Sequence, residues 1–291
     1  MEVLEAFPID RWSGPYEADL RQRARRALES GRVVFFPKLA FPLDESERHL
    51  LTASGADGKA KNISFDPEIG ALQGTALTGP DRARLQAMME RFARSAATLV
   101  SDLLPNYAER LERARTSFRP VEIKGRHYSP IKDDRLLHVD AFPSRPTRGR
   151  RILRFFANIA EGKPRVWRVG EPFEAFARQF LPRVGAPVAG SAWLLERLGI
   201  TKDRRSRYDH IMLALHDKGK QDAVYQAKAP REEIAFPPQT CWLVYTDQVL
   251  HAALAGQFAL EQTFHLDVEA MGEPALSPLR VLERLAGRPL V

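Results

Sequence analysis

The segment at residues 136–142, Leu-Leu-His-Val-Asp-Ala-Phe, combines residue types that bind metal ions. In an extended chain, residues i and i+2 point to the same face, so His138 and Asp140 can reach one ion. A third ligand must come from elsewhere, and the candidate is His251, which follows an apolar run and precedes two alanines. Two histidines and one carboxylate leave the opposite side of the ion open, an arrangement typical of non-haem iron(II) oxygenases.

The His-x-Asp pattern alone has a simpler explanation, because it occurs by chance and His138 could just make a structural hydrogen bond. None of the other histidines lies in a comparable pattern; they include His127, His210, His216 and His265. The nearest rival pair is His216 and Asp217. If residues 210–215 form a strand, adjacent residues there point to opposite faces, so this pair cannot share an ion.

The N-terminal part predicts helices that cover a core. Residues 17–30 and 81–104 carry apolar side chains at helical spacing, and Pro80 and Pro105 bound the second segment. Between them, the apolar run at residues 33–36 predicts a strand.

From about residue 120 onward, the sequence favours short strands. The predicted strands are 152–159, 165–169, 210–215, 242–246 and 258–266; the predicted helices are 172–180, 192–198 and one from Pro278 to the stop at Gly287. The pattern predicts an α+β fold in one domain, 1–291, since no Gly/Ser-rich linker separates its parts. Its regions are a mostly helical layer at 1–119, a β core at 120–267 and a C-terminal helix at 268–291.

The overall composition is that of an ordinary globular protein, with 44% hydrophobic and 28% charged residues in 291. Cys241 is the lone cysteine and lies in an apolar run, which favours packing and a reducing, cytoplasmic location. We expect neither a signal peptide nor a transmembrane helix. The net charge of +7 suits an anionic substrate, an anionic membrane or nucleic acid, or reflects only a solvated basic surface.

Further motifs surround the His-x-Asp segment in an order that matches a known family. Tyr128 lies ten residues before His138, and a strand follows Gly149. This order resembles the double-stranded β-helix (jelly-roll, cupin-like) of 2-oxoglutarate-dependent dioxygenases. Over about residues 120–267 the chain resembles the hydroxylases of 3-deoxy-D-manno-octulosonic acid (Kdo). The segments that carry this resemblance are 138–144, 149–154, 165–173, 246–253 and 256–264.

The resemblance implies an enzyme that uses Fe(II), 2-oxoglutarate and O2 to hydroxylate a sugar acid. The implied substrate is Kdo2-lipid A, modified at C3 of its outer Kdo, in the cytoplasm or peripherally on the cytoplasmic face of the inner membrane. An alternative is a hydroxylase of a protein side chain or nucleic-acid base, although no dedicated nucleic-acid module is visible. A third reading is a metal- or sugar-binding β-barrel without catalysis.

In many members of the superfamily that this chain resembles, an Arg or Lys about ten residues beyond the distal histidine binds 2-oxoglutarate. The corresponding window beyond His251 holds no Arg or Lys. A buried dicarboxylate needs a cationic partner. Arg154 interrupts an apolar strand, so we predict that it binds the cosubstrate carboxylate, with Asn158 and Tyr128 as hydrogen-bonding neighbours. The alternative is an internal ion pair between Arg154 and a residue such as Glu261.

The substrate site is predicted on the strand at residues 165–169. Arg165, Trp167 and Arg168 could offer cations and an aromatic surface to a sugar acid, but the same residues also suit an edge strand with a solvated charged face. The basic loop at residues 202–207 is either solvated or contacts phosphates at a membrane surface.

Overall fold

Two facing β-sheets form the centre of the molecule, shown by a computed structural model that describes residues 2–125 and 129–291. The strands are β1 (Leu4–Ala6), β2 (Val33–Phe36), β3 (Ile63–Asp66), β4 (Ala71–Gln73), β5 (Leu111–Arg119), β6 (Arg151–Asn158), β7 (Arg165–Gly170), β8 (Arg231–Phe236), β9 (Thr240–Tyr245), β10 (His251–Ala255) and β11 (Ala259–Leu266). The helices are α1 (Ala18–Glu29), α2 (Glu45–Arg48), α3 (Gly79–Leu103), α4 (Phe173–Phe180), α5 (Ser191–Arg197), α6 (Arg207–Gln221), α7 (Ala223–Lys228) and α8 (Pro278–Ala286).

The large sheet has eight strands in the order β1-β2-β9-β6-β11-β5-β3-β4, and the small sheet has three in the order β10-β7-β8. Apart from the parallel β1–β2 pair, all these pairings are antiparallel. The His-x-Asp segment extends the small sheet, because His138 and His251 exchange backbone hydrogen bonds of 3.1 and 2.9 Å. The result is the predicted α+β fold with a jelly-roll core.

The side chains of strand β6 alternate between the two sides of the large sheet, one facing α3 and the other facing the small sheet. Phe155 points toward α3, where its ring lies 6.2 Å from that of Phe92. Phe156 points the other way, between the sheets, and contacts the rings of Trp167 and Trp242 at 5.0 and 5.1 Å. Arg154 and Asn158, two positions before and after Phe156, therefore face the space between the sheets, where the metal-binding candidates also lie.

Two predictions about the elements are wrong. Residues 210–215 are not a strand but lie within α6, which begins at a capping box formed by Ser206 and Asp209. The apolar run hid this helix, whose buried face repeats at Ile211, Met212 and Leu215. The N-terminal region is also less helical than predicted, since five strands of the large sheet, β1 to β5, come from it.

Within the described residues, no helix is both long and apolar enough to cross a bilayer. The 25-residue helix α3 has the necessary length, but it places its apolar residues on one side and packs that side against the sheet.

A buried ion pair fixes the turn between β9 and β10. The guanidinium of fully buried Arg151 donates to Asp247 at 2.7 Å and to the Gln248 side chain at 2.7 Å. It also lies 3.6 Å from the ring centre of Tyr245. This turn leads directly into His251, so the ion pair helps set the position of that residue.

We expect Asp247→Ala to lower the free energy of unfolding by about 3–5 kcal/mol, because it leaves Arg151 buried without its counter-ion. The measurement is urea unfolding followed by circular dichroism. Arg178→Ala is the control: it breaks an exposed pair with Glu174, for which we expect less than about 1 kcal/mol. Equal effects of the two substitutions would contradict the predicted stabilisation by the buried pair.

Candidate metal centre

Three side chains meet at the edge of the small sheet. The ligand atoms of His138, Asp140 and His251 all lie within 4.8 Å of one another. Both histidines are buried, and Asp140 is largely so. The backbone of Asp140 is held in place as well, since its N–H donates to the carbonyl of Thr246 at 2.7 Å. The backbone therefore brings together ligands from two distant segments.

The two imidazoles are oriented by their own backbone. Nδ1 of His138 lies 2.7 Å from the carbonyl of Leu136, and Nδ1 of His251 lies 2.9 Å from that of Val249. A carbonyl oxygen only accepts hydrogen bonds, so in each ring Nδ1 carries the proton and Nε2 keeps its lone pair. Each lone pair is available to a metal ion, with the other nitrogen fixing the ring.

The charge states of the three side chains also favour metal binding. Burial, and then His251, hold the pKa of His138 well below its usual value. Burial also lowers the pKa of His251. Burial alone would raise the pKa of Asp140, but Arg154 and then the two imidazoles outweigh it, and the pKa lies far below its ordinary range. The site therefore offers two neutral imidazoles and one carboxylate at neutral pH.

Two more rings flank the histidines. Trp167 stacks on His251 with a centroid distance of 5.2 Å and an interplanar angle of 25°. His216 meets His138 edge to face at 5.4 Å. The sequence analysis considered His216 only as part of a rival pair with Asp217 and set it aside, because residues 210–215 were assigned to a strand. The capping box at Ser206 and the helical spacing of the residues that follow were the signals that could have revealed α6 and its position beside the site.

Arg154 lies beside the three candidate ligands but has partners within the protein. Its guanidinium is 3.1 Å from Asp140 Oδ2 and 3.2 Å from Glu261 Oε1. Glu261 also accepts a hydrogen bond of 3.0 Å from Arg119. The ion pair with Glu261 is the alternative that the sequence left open, so binding of the cosubstrate by Arg154 stays a prediction.

The three residues predicted to bind the sugar do not form one surface. Arg165 and Trp167 point between the sheets and are buried, whereas Arg168 lies on the outer face and pairs with Glu233 at 3.4 Å. Trp167 packs among other rings and on His251, so its indole is not an open surface, and sugar binding by Trp167 stays a prediction.

Arg165 is buried without a carboxylate partner within the described residues. In the described part of the chain, its Nη1 donates to the carbonyl of Gly256 at 3.4 Å and its Nε has no hydrogen-bond partner. Burial, and then the nearby Arg119, lower the pKa of Arg165 to about 9. A buried cation without a counter-ion is unfavourable, so this side chain is suited to a bound anion.

Asn158, one of the two predicted hydrogen-bonding neighbours of the cosubstrate, is already hydrogen-bonded within the protein. The side-chain nitrogen of Asn158 donates to the carbonyls of Lys163, Phe236 and Pro237, and its oxygen accepts from the N–H of Ala160. These contacts use its hydrogen-bonding capacity, so a contact between Asn158 and a cosubstrate is not supported. Tyr128 lies outside the described residues.

Comparison with protein families gives a match over residues 11–289 to the model of 3-deoxy-D-manno-oct-2-ulosonic acid (Kdo) hydroxylase. The chain belongs to the Kdo hydroxylase family. A comparison with curated proteins found no match.

Solved structures of the Kdo hydroxylase KdoO are similar over nearly the whole chain. One holds alpha-ketoglutarate and Fe(III); it is 47% identical, with a TM-score of 0.95, and covers 99% of this chain and 97% of its own. Another holds cobalt(II); it is 48% identical with the same coverage and a TM-score of 0.96. Both are described as a non-haem Fe(II) alpha-ketoglutarate-dependent dioxygenase.

Divalent metal binding should require the three clustered side chains. We expect His251→Ala to weaken the affinity for cobalt(II), measured by calorimetry, by more than about a hundredfold. The control is His210→Ala, because that partly exposed imidazole hydrogen-bonds the carbonyl of Gly185, away from the three clustered side chains. Unchanged cobalt(II) affinity in His251→Ala would contradict this site.

The affinity for cobalt(II) should also change little between about pH 7.5 and 6.5. Imidazoles with an ordinary pKa of about 6.5 would each be half protonated at the lower pH, and two of them would weaken binding about threefold relative to pH 7.5. Since burial lowers the pKa of both His138 and His251, they stay mostly neutral over this range. A threefold loss in the same calorimetric measurement would contradict this prediction.

Proposed function

We propose that this chain binds Fe(II) through His138, Asp140 and His251 and hydroxylates a Kdo sugar acid with 2-oxoglutarate and O2. The observation that carries the proposal is the cluster of two neutral imidazoles and one carboxylate in a member of the Kdo hydroxylase family. Structures of a relative about 47% identical hold alpha-ketoglutarate with Fe(III), succinate with Fe(III), or cobalt(II).

The donor set fits this metal. Nitrogen and carboxylate ligands suit iron(II), and three ligands on one side leave positions for the reactants. When bound, the iron supplies the redox chemistry that couples conversion of 2-oxoglutarate to succinate and CO2 with transfer of one oxygen atom from O2 into a C–H bond. The protein orients the ligands through the carbonyls of Leu136 and Val249 and excludes water by burial.

Two buried arginines are candidates for the far carboxylate of 2-oxoglutarate. Arg154 is the prediction from the sequence, but it already contacts Asp140 and Glu261. Arg165 has no carboxylate partner within the described residues and lies two residues from Trp167, on the same face of β7. Because Trp167 stacks on His251, Arg165 lies about 7 Å along the strand from a ring beside the proposed metal site. This distance is comparable to the length of a five-carbon diacid. We therefore propose that Arg165 binds the carboxylate and that Arg154 positions Asp140.

The proposed substrate is Kdo2-lipid A, hydroxylated at C3 of its outer Kdo. The family membership supports a Kdo sugar, and the net charge of +7 suits an acidic, phosphorylated lipid. We propose that the reaction takes place at the cytoplasmic face of the inner membrane, with the enzyme attached peripherally.

The two arginines can be separated by titrating 2-oxoglutarate into the cobalt(II)-loaded protein and measuring the heat of binding. We expect Arg165→Gln to weaken 2-oxoglutarate binding by at least about twentyfold, since a charge-assisted bidentate contact contributes about 2 kcal/mol. Arg154→Gln should change cobalt(II) affinity more than 2-oxoglutarate affinity. The reverse ranking would assign the carboxylate to Arg154.

The activity is tested by incubating the protein with Fe(II), 2-oxoglutarate and Kdo2-lipid A. We expect succinate to form together with a sugar that gains one oxygen atom, as measured by mass spectrometry. His138→Ala should abolish both products, while His210→Ala keeps them. Succinate formation with an unmodified Kdo would support the iron chemistry but rule out this substrate.

A further inference from the structure

One surface segment exposes an unusual number of large apolar side chains. Five of the ten exposed large hydrophobic residues within the described part of the chain lie between positions 188 and 200. They are Val188, Trp193, Leu194, Leu198 and Ile200, and their exposed fractions range from 50% to 77%. We call these five residues the apolar face. A concentrated apolar surface of this kind marks an interaction site more often than scattered residues do.

Helix α5 gathers three of these side chains on one side. Trp193, Leu194 and Leu198 are separated by one and four positions, which places them on the same side of a helix. Arg197 belongs to this side too, and its guanidinium lies 5.6 Å from the ring centre of Trp193. An apolar helix surface bordered by a cation is typical of elements that lie in a membrane interface.

A cationic cleft lies in the segment that follows. Arg148, Arg204, Arg205 and Arg207 line a cavity of about 420 Å³ together with residues 289–291. Among the described residues, no carboxylate lies within salt-bridge distance of Arg148, Arg204 or Arg207, although the segment also contains Glu196 and Asp203. The cleft therefore has positive charge available for an anionic ligand such as a lipid phosphate.

The same segment is attached to the loop that leaves the metal site. The N–H of Lys202 donates to the carbonyl of Ser144 at 2.9 Å, and the guanidinium of Arg205 donates to the carbonyl of Pro143. Pro143 and Ser144 follow Asp140 by only three and four residues. A surface that bound this segment would therefore lie close to the chain that carries a metal ligand.

We propose that the apolar face and the arginine cleft together dock the protein on an anionic lipid bilayer. Trp193 and the leucines of α5 enter the interface, and the arginines contact lipid phosphates. The charge of the cleft selects a bilayer over an uncharged partner. The purpose of docking, which is to present a lipid-linked sugar to the site, rests on the proposed function. Lipid binding itself can be measured without turnover.

The test is sedimentation of the whole protein with vesicles of phosphatidylcholine, with or without about one third phosphatidylglycerol. We expect binding to the anionic vesicles alone, weakened as salt is raised. Arg204→Gln and Arg207→Gln should each weaken it about fivefold. Trp193→Ala with Leu198→Glu should weaken it at least about tenfold, because apolar insertion and interfacial anchoring are both lost.

Matched substitutions elsewhere separate docking from general effects of charge and hydrophobicity. Val224→Glu removes an exposed apolar residue outside the face, and Arg94→Gln removes an exposed charge from α3. Neither should change vesicle binding. Thermal melting of each variant checks that it folds, which we expect because the altered side chains are exposed.

Three outcomes would overturn the proposal: no binding to anionic vesicles, equal binding to neutral ones, or wild-type binding by the Trp193→Ala, Leu198→Glu variant. A dimer detected by light scattering that dissociates in this variant would assign the apolar face to a second copy of the chain. None of these results depends on catalysis, so failure of the docking proposal is distinguishable from failure of the proposed activity.

Discussion

The proposed metal site depends on one short piece of backbone pairing. His138 and His251 come from distant parts of the chain, and they exchange two hydrogen bonds at the edge of the small sheet. Without this pairing, nothing in the local sequence of either segment would place their imidazoles together. The N–H of Asp140 adds a third backbone contact, to Thr246. All three ligands are therefore positioned by strand geometry, which defines positions more closely than a flexible loop would.

The buried charges around the ligands form a second level of organisation. Arg154 lies between Asp140 and Glu261, and Glu261 also holds Arg119. This chain of alternating charges keeps Asp140 ionised despite burial. Arg165 lies outside this chain of charges and has no carboxylate partner among the described residues. The interior is thus prepared for an additional anion as well as for a metal ion, as a reaction with a dicarboxylate cosubstrate requires.

The sequence was sufficient for features that depend on local pattern. The His-x-Asp spacing, the bounds of α1 and α3, and the alternation of β6 all follow from side-chain periodicity and stop signals. Features that depend on tertiary packing were not predictable in this way. The alternation of β7 placed Arg165 and Trp167 on one face, but only the facing sheet shows that this face is buried and that Trp167 stacks on His251.

Polar residues were the hardest to interpret from pattern alone. Asn158 lies on the same strand face as Arg154, yet backbone carbonyls from other segments take its amide. The apolar residues at 210–215 looked like a strand because they cover too few helical turns to show a clear helical repeat. The position of His216 beside His138 was therefore not predicted. In both cases the partner comes from a part of the chain that no local pattern identifies.

We propose that His138, Asp140 and His251 support coupled oxidation of 2-oxoglutarate and a Kdo sugar. The decisive test is reaction under ¹⁸O2, with mass spectrometry of both products. We expect one labelled oxygen in succinate and one in the sugar, formed in equal amounts. A sugar that takes its new oxygen from water, or sugar oxidation that proceeds without 2-oxoglutarate, would contradict it.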